Sequence, residues 1–113
     1  MAAHSKLKLS GSTNGLATLV ARTSTLGTVI HAAHATSLDE IWLWAHNYDT
    51  TDRKLTIEFG GVAAKDTVEF TVPAEDGLYL VLPGLILTGS VSCTAFAATA
   101  TAIGIVGYVN RIK

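Results

Sequence analysis

The fold is decided by residues 53–73, which read RKLTIEFGGVAAKDTVEFTVP. In the first half of this stretch apolar residues occupy every second position from Leu55 to Phe59, and in the second half they do so from Val68 to Val72. A period of two is typical of a β-strand with one buried face and one wet face. A pair of glycines begins the connection between the two segments, so they are predicted to form a β-hairpin.

The same period of two continues along the rest of the chain. Strands are predicted at Lys6–Ser10, Leu16–Arg22, Gly27–Ala33, Glu40–Tyr48, Arg53–Gly60, Asp66–Val72, Leu78–Leu82, Val91–Thr99 and Ala102–Asn110. Turn signals such as Asn14-Gly15 and Pro83-Gly84 separate them, and no segment has the caps of an α-helix. The prediction is an all-β protein, a single-domain β-sandwich of jelly-roll-like type with about eight or nine short antiparallel strands.

Length and composition bound the class of protein. A chain of 113 residues makes one domain, residues 1–113, and its 49% of hydrophobic residues excludes an intrinsically disordered protein. The net charge of −1 gives no sign of the basic surface that nucleic-acid binding requires. A single cysteine, Cys93, excludes an intrachain disulfide and a multi-cysteine zinc site.

Charged residues make up only 15% of the chain, and residues 77–110 contain none. Such a stretch is first tested as a membrane span, for which Val91–Val109 is the best candidate. Threonines and glycines interrupt that segment and turn signals precede it, so we expect no membrane insertion.

The predicted strands in this uncharged region are apolar on both faces, as at Leu78–Leu82 and Ile103–Val109. In a sandwich one face meets the opposite sheet, and the other face needs a cover of its own. A second subunit would supply that cover, which favours a homo-oligomer; the alternative is a central pair of strands shielded by loops. The candidate interface residues from this region are Tyr79, Ile103, Ile105 and Tyr108.

The predicted strand Glu40–Tyr48 has one aromatic and one aliphatic face. The aromatic face carries Trp42, Trp44, His46 and Tyr48, and the aliphatic face carries Ile41, Leu43 and Ala45. If the aliphatic face is buried, the aromatic rings point outward and are available to a protein partner or to sugar rings. The reverse arrangement, with both tryptophans in the core, stays open. Without flanking lysines and arginines the aromatic face does not suit nucleic acid.

The histidines of the sequence His31-Ala-Ala-His34 do not predict a metal site. Residues three apart on a strand point to opposite faces, so the two imidazoles would not reach one metal ion. We interpret both as exposed or hydrogen-bonded structural histidines.

The remaining reactive residue types do not form a catalytic pattern. The acidic pairs Asp39-Glu40 and Asp49/Asp52 are predicted to lie in turns and to bond their own backbone. Cys93 has no neighbouring charge that would lower its pKa and is interpreted as a small buried thiol. No phosphate-binding, dinucleotide-binding or nucleophile motif is present, so we expect no cofactor and no enzymatic activity.

Four stretches together carry a family resemblance that spans nearly the whole chain. They are Lys6–Gly15 (KLKLSGSTNG), Leu38–Asn47 (LDEIWLWAHN), Gly77–Leu85 (GLYLVLPGL) and Gly107–Ile112 (GYVNRI). In pattern and composition the chain resembles small β-rich virion structural proteins of tailed bacteriophages, of the capsid decoration or cement type.

The resemblance implies a non-enzymatic virion protein without a cofactor, which forms a homo-oligomer, with a trimer favoured. Its partner would be the major capsid protein or another virion protein. A neck, collar or tail component is the alternative position. A small carbohydrate-binding module that uses Trp42, Trp44 and Tyr48 is the alternative of a different class.

The N-terminal segment, residues 1–10, is a candidate extended arm that contacts the lattice. Lys6 and Lys8 are the only Lys, Arg, Asp or Glu residues in this segment. The alternative is that the segment forms a frayed terminus or a simple first strand.

Overall fold

The computed structural model describes residues 4–22, 27–99 and 102–113, with backbone only at residues 21 and 22. These residues form ten β-strands, one short 3-10 helix at Ala64–Asp66 and no α-helix. The strands are β1 (His4–Lys8), β2 (Thr18–Leu19), β3 (Ala21–Arg22), β4 (Thr28–Ala32), β5 (Leu38–Asn47), β6 (Arg53–Phe59), β7 (Thr67–Val72), β8 (Tyr79–Leu87), β9 (Ser92–Ala97) and β10 (Ile103–Ile112).

Two sheets make up the fold and enclose one hydrophobic core. Sheet A has the order β1-β10-β5-β8, and β2 pairs with a different part of β10 from β1. Sheet B has the order β3-β9-β6-β7, and β4 pairs with a different part of β9 from β3. Every pairing between these strands is antiparallel except that of β3 with β9. The predicted all-β sandwich is therefore confirmed.

Most predicted strands are present, and one is divided. The hairpin of β6 and β7 forms as predicted, with Leu55 opposite Phe70. The predicted strand Leu16–Arg22 is split at the buried residue Val20, because the chain crosses there from sheet A to sheet B. The segment Val91–Val109 forms β9 and most of β10, and no helix in the described ranges is long and apolar enough to span a bilayer.

The two turn predictions have different outcomes. Asn14 and Gly15 form a turn, with φ angles of 56° and 81°. Pro83-Gly84 does not end a strand, so that prediction was wrong: β8 continues through both residues, and its pairing with β5 shifts register there. Such a shift is a β-bulge, which absorbs a residue that cannot join a regular ladder.

Strand β5 lies in the middle of sheet A and turns its aliphatic face inward. Ile41, Leu43 and Ala45 are fully buried, and so are the two polar residues of the same face, Asp39 and Asn47. The choice that the sequence left open is thereby decided, because the tryptophans occupy the opposite face.

At one end of this buried row, the side chain of Asn47 has all of its hydrogen-bonding groups engaged. Its side-chain amide donates to the carbonyl oxygens of Thr51 and Val72, at 2.8 and 2.9 Å. Its carbonyl oxygen accepts from the backbone N–H of Asp49 at 2.9 Å. Asn47 thus joins the end of β5 to the following turn and to β7, so that no buried polar atom is left without a partner at this point.

Asp39 is satisfied at the other end by a buried ionic network. Arg111 on β10 donates to both carboxylate oxygens, from Nε at 2.8 Å and from a terminal nitrogen at 3.0 Å. The His31 ring on β4 lies 2.7 Å from the carboxylate through Nε2. The backbone N–H of Ser10 donates a hydrogen bond to His31 Nδ1 at 3.1 Å. Because Nδ1 is the acceptor, the ring hydrogen lies on Nε2, which donates a hydrogen bond to Asp39. The network therefore connects sheet B to two strands of sheet A.

Both histidines of the His-Ala-Ala-His sequence are structural, as predicted. His31 is buried with both ring nitrogens engaged. His34 accepts the backbone N–H groups of Thr36 and Ser37 through Nδ1 and so closes the loop before β5. The prediction that Asp39 lies in a turn was wrong, because Asp39 is a strand residue whose carboxylate is bonded by side chains of β4 and β10.

The environment of Asp39 lowers its pKa. Burial alone would raise that pKa, but hydrogen bonds from Arg111, His31 and the His34 backbone N–H outweigh burial and bring it from 3.8 to about 2. A carboxylate with a lowered folded-state pKa stabilises the fold above its unfolded pKa, and that stability is lost as the pH falls through the folded pKa.

We therefore expect the free energy of unfolding to fall by about 2 kcal/mol between pH ~4 and pH ~2 because of Asp39 alone. Asp39→Asn should lower stability at neutral pH, since Arg111 loses its anionic partner, and should remove this acid-dependent step. Urea denaturation followed by circular dichroism across this pH range measures both effects. Asp52→Asn, at an exposed site, is the control that retains the step. An unchanged acid profile in Asp39→Asn would contradict the assignment.

The aromatic face of sheet A as candidate functional site

The outer surface of sheet A carries a cluster of apolar side chains that we call the aromatic face. Its members are Trp42 and Trp44 on β5, Val106 and Tyr108 on β10, and Leu80 on β8. Cross-strand register brings them together, since Tyr108 lies opposite Trp42, and Val106 and Leu80 lie on either side of Trp44. Directly opposite residues share one face of a sheet, so the five side chains form one continuous surface.

The three rings at the centre of the aromatic face lie close to one another in nearly parallel planes. Ring centroids are 6.3 Å apart for Trp42 and Trp44, 6.3 Å for Trp42 and Tyr108, and 6.1 Å for Trp44 and Tyr108. The planes differ by 14° to 26°. Each ring is half-buried, while Leu80 beside them is 44% exposed. The rings therefore support one another and present a pre-formed apolar surface.

Polar groups at the rim of the aromatic face are satisfied within the chain. Glu40 accepts the indole N–H of Trp42 at 2.7 Å and the side-chain amide of Asn110 at 3.1 Å. The hydrogen bond from Trp42, followed by that from Asn110, lowers the pKa of Glu40. The ammonium group of Lys6 lies 4.8 Å from the centroid of the Tyr108 ring, in cation–π contact. These contacts therefore hold the rim groups in place before any partner binds.

The bulge in β8 makes room for the Trp42 indole. Gly84 has a φ angle of 75°, and a Cβ atom built on it would lie 2.7 Å from Trp42 Cζ2. Both the positive φ and the close approach require glycine. The bulge of β8 at Pro83-Gly84 thus gives the Trp42 indole room to lie against the sheet.

His46 and Tyr48 continue the aromatic face toward the end of β5. The His46 ring lies over Gly104, where a Cβ atom would come within 2.7 Å of Nε2. Tyr48 is 49% exposed, and its ring is 5.9 Å from the His46 ring at a tilt of 41°. Tyr48 is therefore exposed at the margin of the surface, and its role at an interface stays a prediction.

Three of the candidate interface residues lie elsewhere. Ile103 and Ile105 are fully buried in the core, because they occupy the inward positions of β10 that alternate with Val106 and Tyr108. Tyr79 packs near Phe70 at 6.3 Å, at the margin of the core between β8 and β7, and its hydroxyl donates to Asp76. The assignment of Ile103 and Ile105 to an interface was wrong, since apolar alternation alone does not separate inward from outward positions. The assignment of Tyr79, which is partly buried, stays a prediction.

The candidate arm is a strand over the part that the structure describes. Lys6 and Lys8 belong to β1, which pairs with β10 from Ile112 to Tyr108. Residues 1–3 lie outside the described residues. The alternative of a simple first strand therefore holds for His4–Lys8, and Lys6 contributes to the aromatic face instead of to a free arm.

Strand β8 forms one edge of sheet A and exposes further apolar side chains. Leu85 is 41% exposed and Ile86 48% exposed. Pro83 has no N–H group, and the bulge at Gly84 breaks the regular spacing of the edge. These features hinder the addition of another strand. A partner would therefore not readily extend sheet A at this edge.

Four residues important to this surface were not among the sequence candidates: Leu80, Gly84, Val106 and Glu40. The alternation in Leu78–Leu82 was a signal for Leu80, but only the pairing of β8 with β5 places it beside Trp44. Glu40 precedes Trp42 by two residues on the same face, so its contact with the indole was accessible from spacing alone.

Other clusters in the described ranges have little capacity for binding or reaction. No group of three or more His, Cys, Asp or Glu side chains there is placed to hold a metal ion. Burial and the nearby charge of Glu58 raise the pKa of the Cys93 thiol to about 12, so it stays protonated at neutral pH. A groove on sheet B encloses about 220 Å³, less than the roughly 300–1,000 Å³ typical of ligand pockets.

Comparison of the chain with known protein families, curated proteins and solved structures finds no match. The aromatic face is therefore interpreted from its own geometry and from the residue patterns in the chain.

We expect Gly84→Ala to destabilise the protein more than Gly89→Ala. Both residues have a positive φ, near 75°, which costs an L-residue roughly 1–2 kcal/mol. Only at Gly84 does the added methyl group also collide with Trp42, while nothing lies within 4 Å of the corresponding position at Gly89. Urea unfolding curves of the two variants give the difference, which should shrink in a Trp42→Ala background. Equal destabilisation would show that Trp42 does not depend on Gly84.

Proposed function

We propose that this chain is a non-enzymatic structural protein of a bacteriophage virion, a capsid decoration or cement protein that forms a homo-oligomer through the aromatic face. The observation that carries the proposal is the apolar cluster of Trp42, Trp44 and Tyr108 on the outside of sheet A, with the carboxylate of Glu40 at its rim already hydrogen-bonded inside the chain. A single sandwich has no further layer to cover this surface.

The chemistry of the aromatic face suits a protein partner. Tryptophan and tyrosine are enriched at the centres of protein interfaces, because they bury a large area at a low cost in side-chain entropy. The rings are held by Gly84, Glu40 and Lys6 before any partner arrives. Association therefore requires little further ordering of these side chains, which lowers the entropic cost of binding.

The virion setting is supported by the resemblance of residues 6–15, 38–47, 77–85 and 107–112 to small β-rich virion proteins of tailed bacteriophages. A cement protein acts in many copies, so that individually weak contacts add up by multivalency. The partner beyond the oligomer would be the major capsid protein, which the chain bridges between neighbouring shell subunits. A neck, collar or tail position is the alternative, because it requires the same fold and the same apolar surface.

A carbohydrate-binding function is the second candidate, favoured by the nearly parallel planes of the three rings beside Glu40 and Asn110. Sugar rings stack on aromatic side chains, and a carboxylate or amide at the rim can bond their hydroxyl groups. Tyr48 would form the outer part of this carbohydrate site.

We expect the isolated protein to sediment as an oligomer, most simply a trimer, and Trp44→Asp to sediment as a monomer with an unchanged circular dichroism spectrum. A charge placed among the rings would have to be desolvated at the contact. Val62→Asp is the matched control, because Val62 is an exposed apolar residue in the loop after β6, is not a member of the aromatic face, and should leave the oligomer intact. Analytical ultracentrifugation measures all three, and a monomeric native protein would overturn assembly through this face.

Position in the particle and glycan binding need separate measurements. Co-purification with phage particles and electron cryomicroscopy of those particles distinguish head shell from neck or tail, and absence from the particles would refute a virion role.

Under the carbohydrate alternative, soluble glycans should change the tryptophan fluorescence of the native protein and not that of Trp44→Ala. No response across a glycan array would exclude that alternative.

A further inference from the structure

The structure points to Asn14 as a site of spontaneous covalent modification, at which the side-chain amide is lost through a cyclic imide and the residue becomes aspartate or isoaspartate. We infer this from the turn in which Asn14 lies and from the contrast with the two other asparagines of the chain, Asn47 and Asn110. The inference is independent of the proposed function.

The turn exposes the reacting groups. Asn14 and Gly15 are both exposed, and the turn is closed by the backbone N–H of Leu16, which donates to the carbonyl oxygen of Thr13 at 2.9 Å. Among the described residues, no hydrogen bond holds the Asn14 side-chain amide. Nothing lies within 4 Å of the position that a Cβ atom of Gly15 would take. The Asn14–Gly15 peptide can therefore rotate once a single turn hydrogen bond opens.

The reaction needs only the chain and water. The backbone nitrogen of Gly15 attacks Cγ of Asn14 and forms a new C–N bond, which closes a five-membered imide. The bond from Cγ to Nδ2 breaks, and Nδ2 leaves as ammonia with the proton that the Gly15 nitrogen gives up. Water then adds to one of the two imide carbonyls: opening at Cγ yields aspartate, and opening at the backbone carbonyl of Asn14 yields isoaspartate. No oxidation or reduction takes place.

Glycine at position 15 favours the attack because no side chain crowds the nucleophilic nitrogen. The two other asparagines lack these conditions. Asn47 is buried, precedes Tyr48, and has its amide bonded to two carbonyl oxygens. Asn110 lies within β10, precedes a bulky arginine, and has its amide bonded to Glu40. Both are therefore held away from the cyclic geometry by the fold itself.

The modification would change the loop that connects β1 to β2. Either product adds one negative charge to a chain with a formal net charge of −1. Isoaspartate also adds a methylene group to the backbone inside the turn, which disrupts the bond between Leu16 and Thr13. Both flanking strands pair with β10, so the change occurs next to sheet A.

Incubation of the folded protein at mildly alkaline pH, followed by peptide mapping with mass spectrometry, tests the inference. We expect the peptide that contains Asn14 to gain the mass difference between –OH and –NH₂, and to divide into an aspartyl and an isoaspartyl form. The conversion should accelerate as the pH rises, because the attacking nitrogen must lose its proton. Peptides that contain Asn47 and Asn110 should stay unchanged while the protein remains folded.

Asn14→Gln is the control variant, since its longer side chain would have to close a less favourable six-membered ring, and it should show no conversion at this position. The internal comparison within the native protein does not depend on how well this variant folds. An Asn14 peptide that stays intact in the folded protein but converts after denaturation would overturn the inference, as would equal conversion of all three asparagines.

Discussion

The structure depends on the register of β5. The inward row of this strand begins with Asp39 and ends with Asn47, and both polar side chains have partners only when β5 is placed as it is. A shift by one residue would turn every side chain to the other face. Asp39 would then leave its guanidinium partner, and Glu40 and both tryptophans would enter the core. Removing one partner of a buried ion pair typically costs about 3–5 kcal/mol, so the register is strongly specified.

The aromatic face follows from that register together with the bulge in β8. With Ile41 and Leu43 committed to the core, the indoles must lie on the outer surface of sheet A. Gly84 then accepts the Trp42 ring, and the same irregularity interrupts the edge of the sheet. One local feature therefore both makes room for an aromatic side chain and hinders strand addition at the β8 edge of sheet A.

The low content of charged residues has two separate origins in the structure. Part of the uncharged region 77–110 fills the core of the chain itself, as Ile103 and Ile105 do. Another part lies outside, where Leu80 and Ile86 are exposed beside the tryptophans. Only this second part is surface for a partner to cover. The proposal of a virion assembly protein rests on it and on the resemblance in sequence pattern.

The sequence by itself determined the all-β class, the hairpin of β6 and β7 and the buried, unreactive character of Cys93, because period-two alternation and turn residues act locally. It did not determine which face of β5 is buried, since aliphatic and aromatic faces are both apolar. Nor did it reveal that Asp39 meets Arg111 and His31, because those partners lie on other strands. Both points depend on contacts between strands that are far apart in the chain: the pairing of these strands selects the buried face, and a buried charge is stable only where its partners converge.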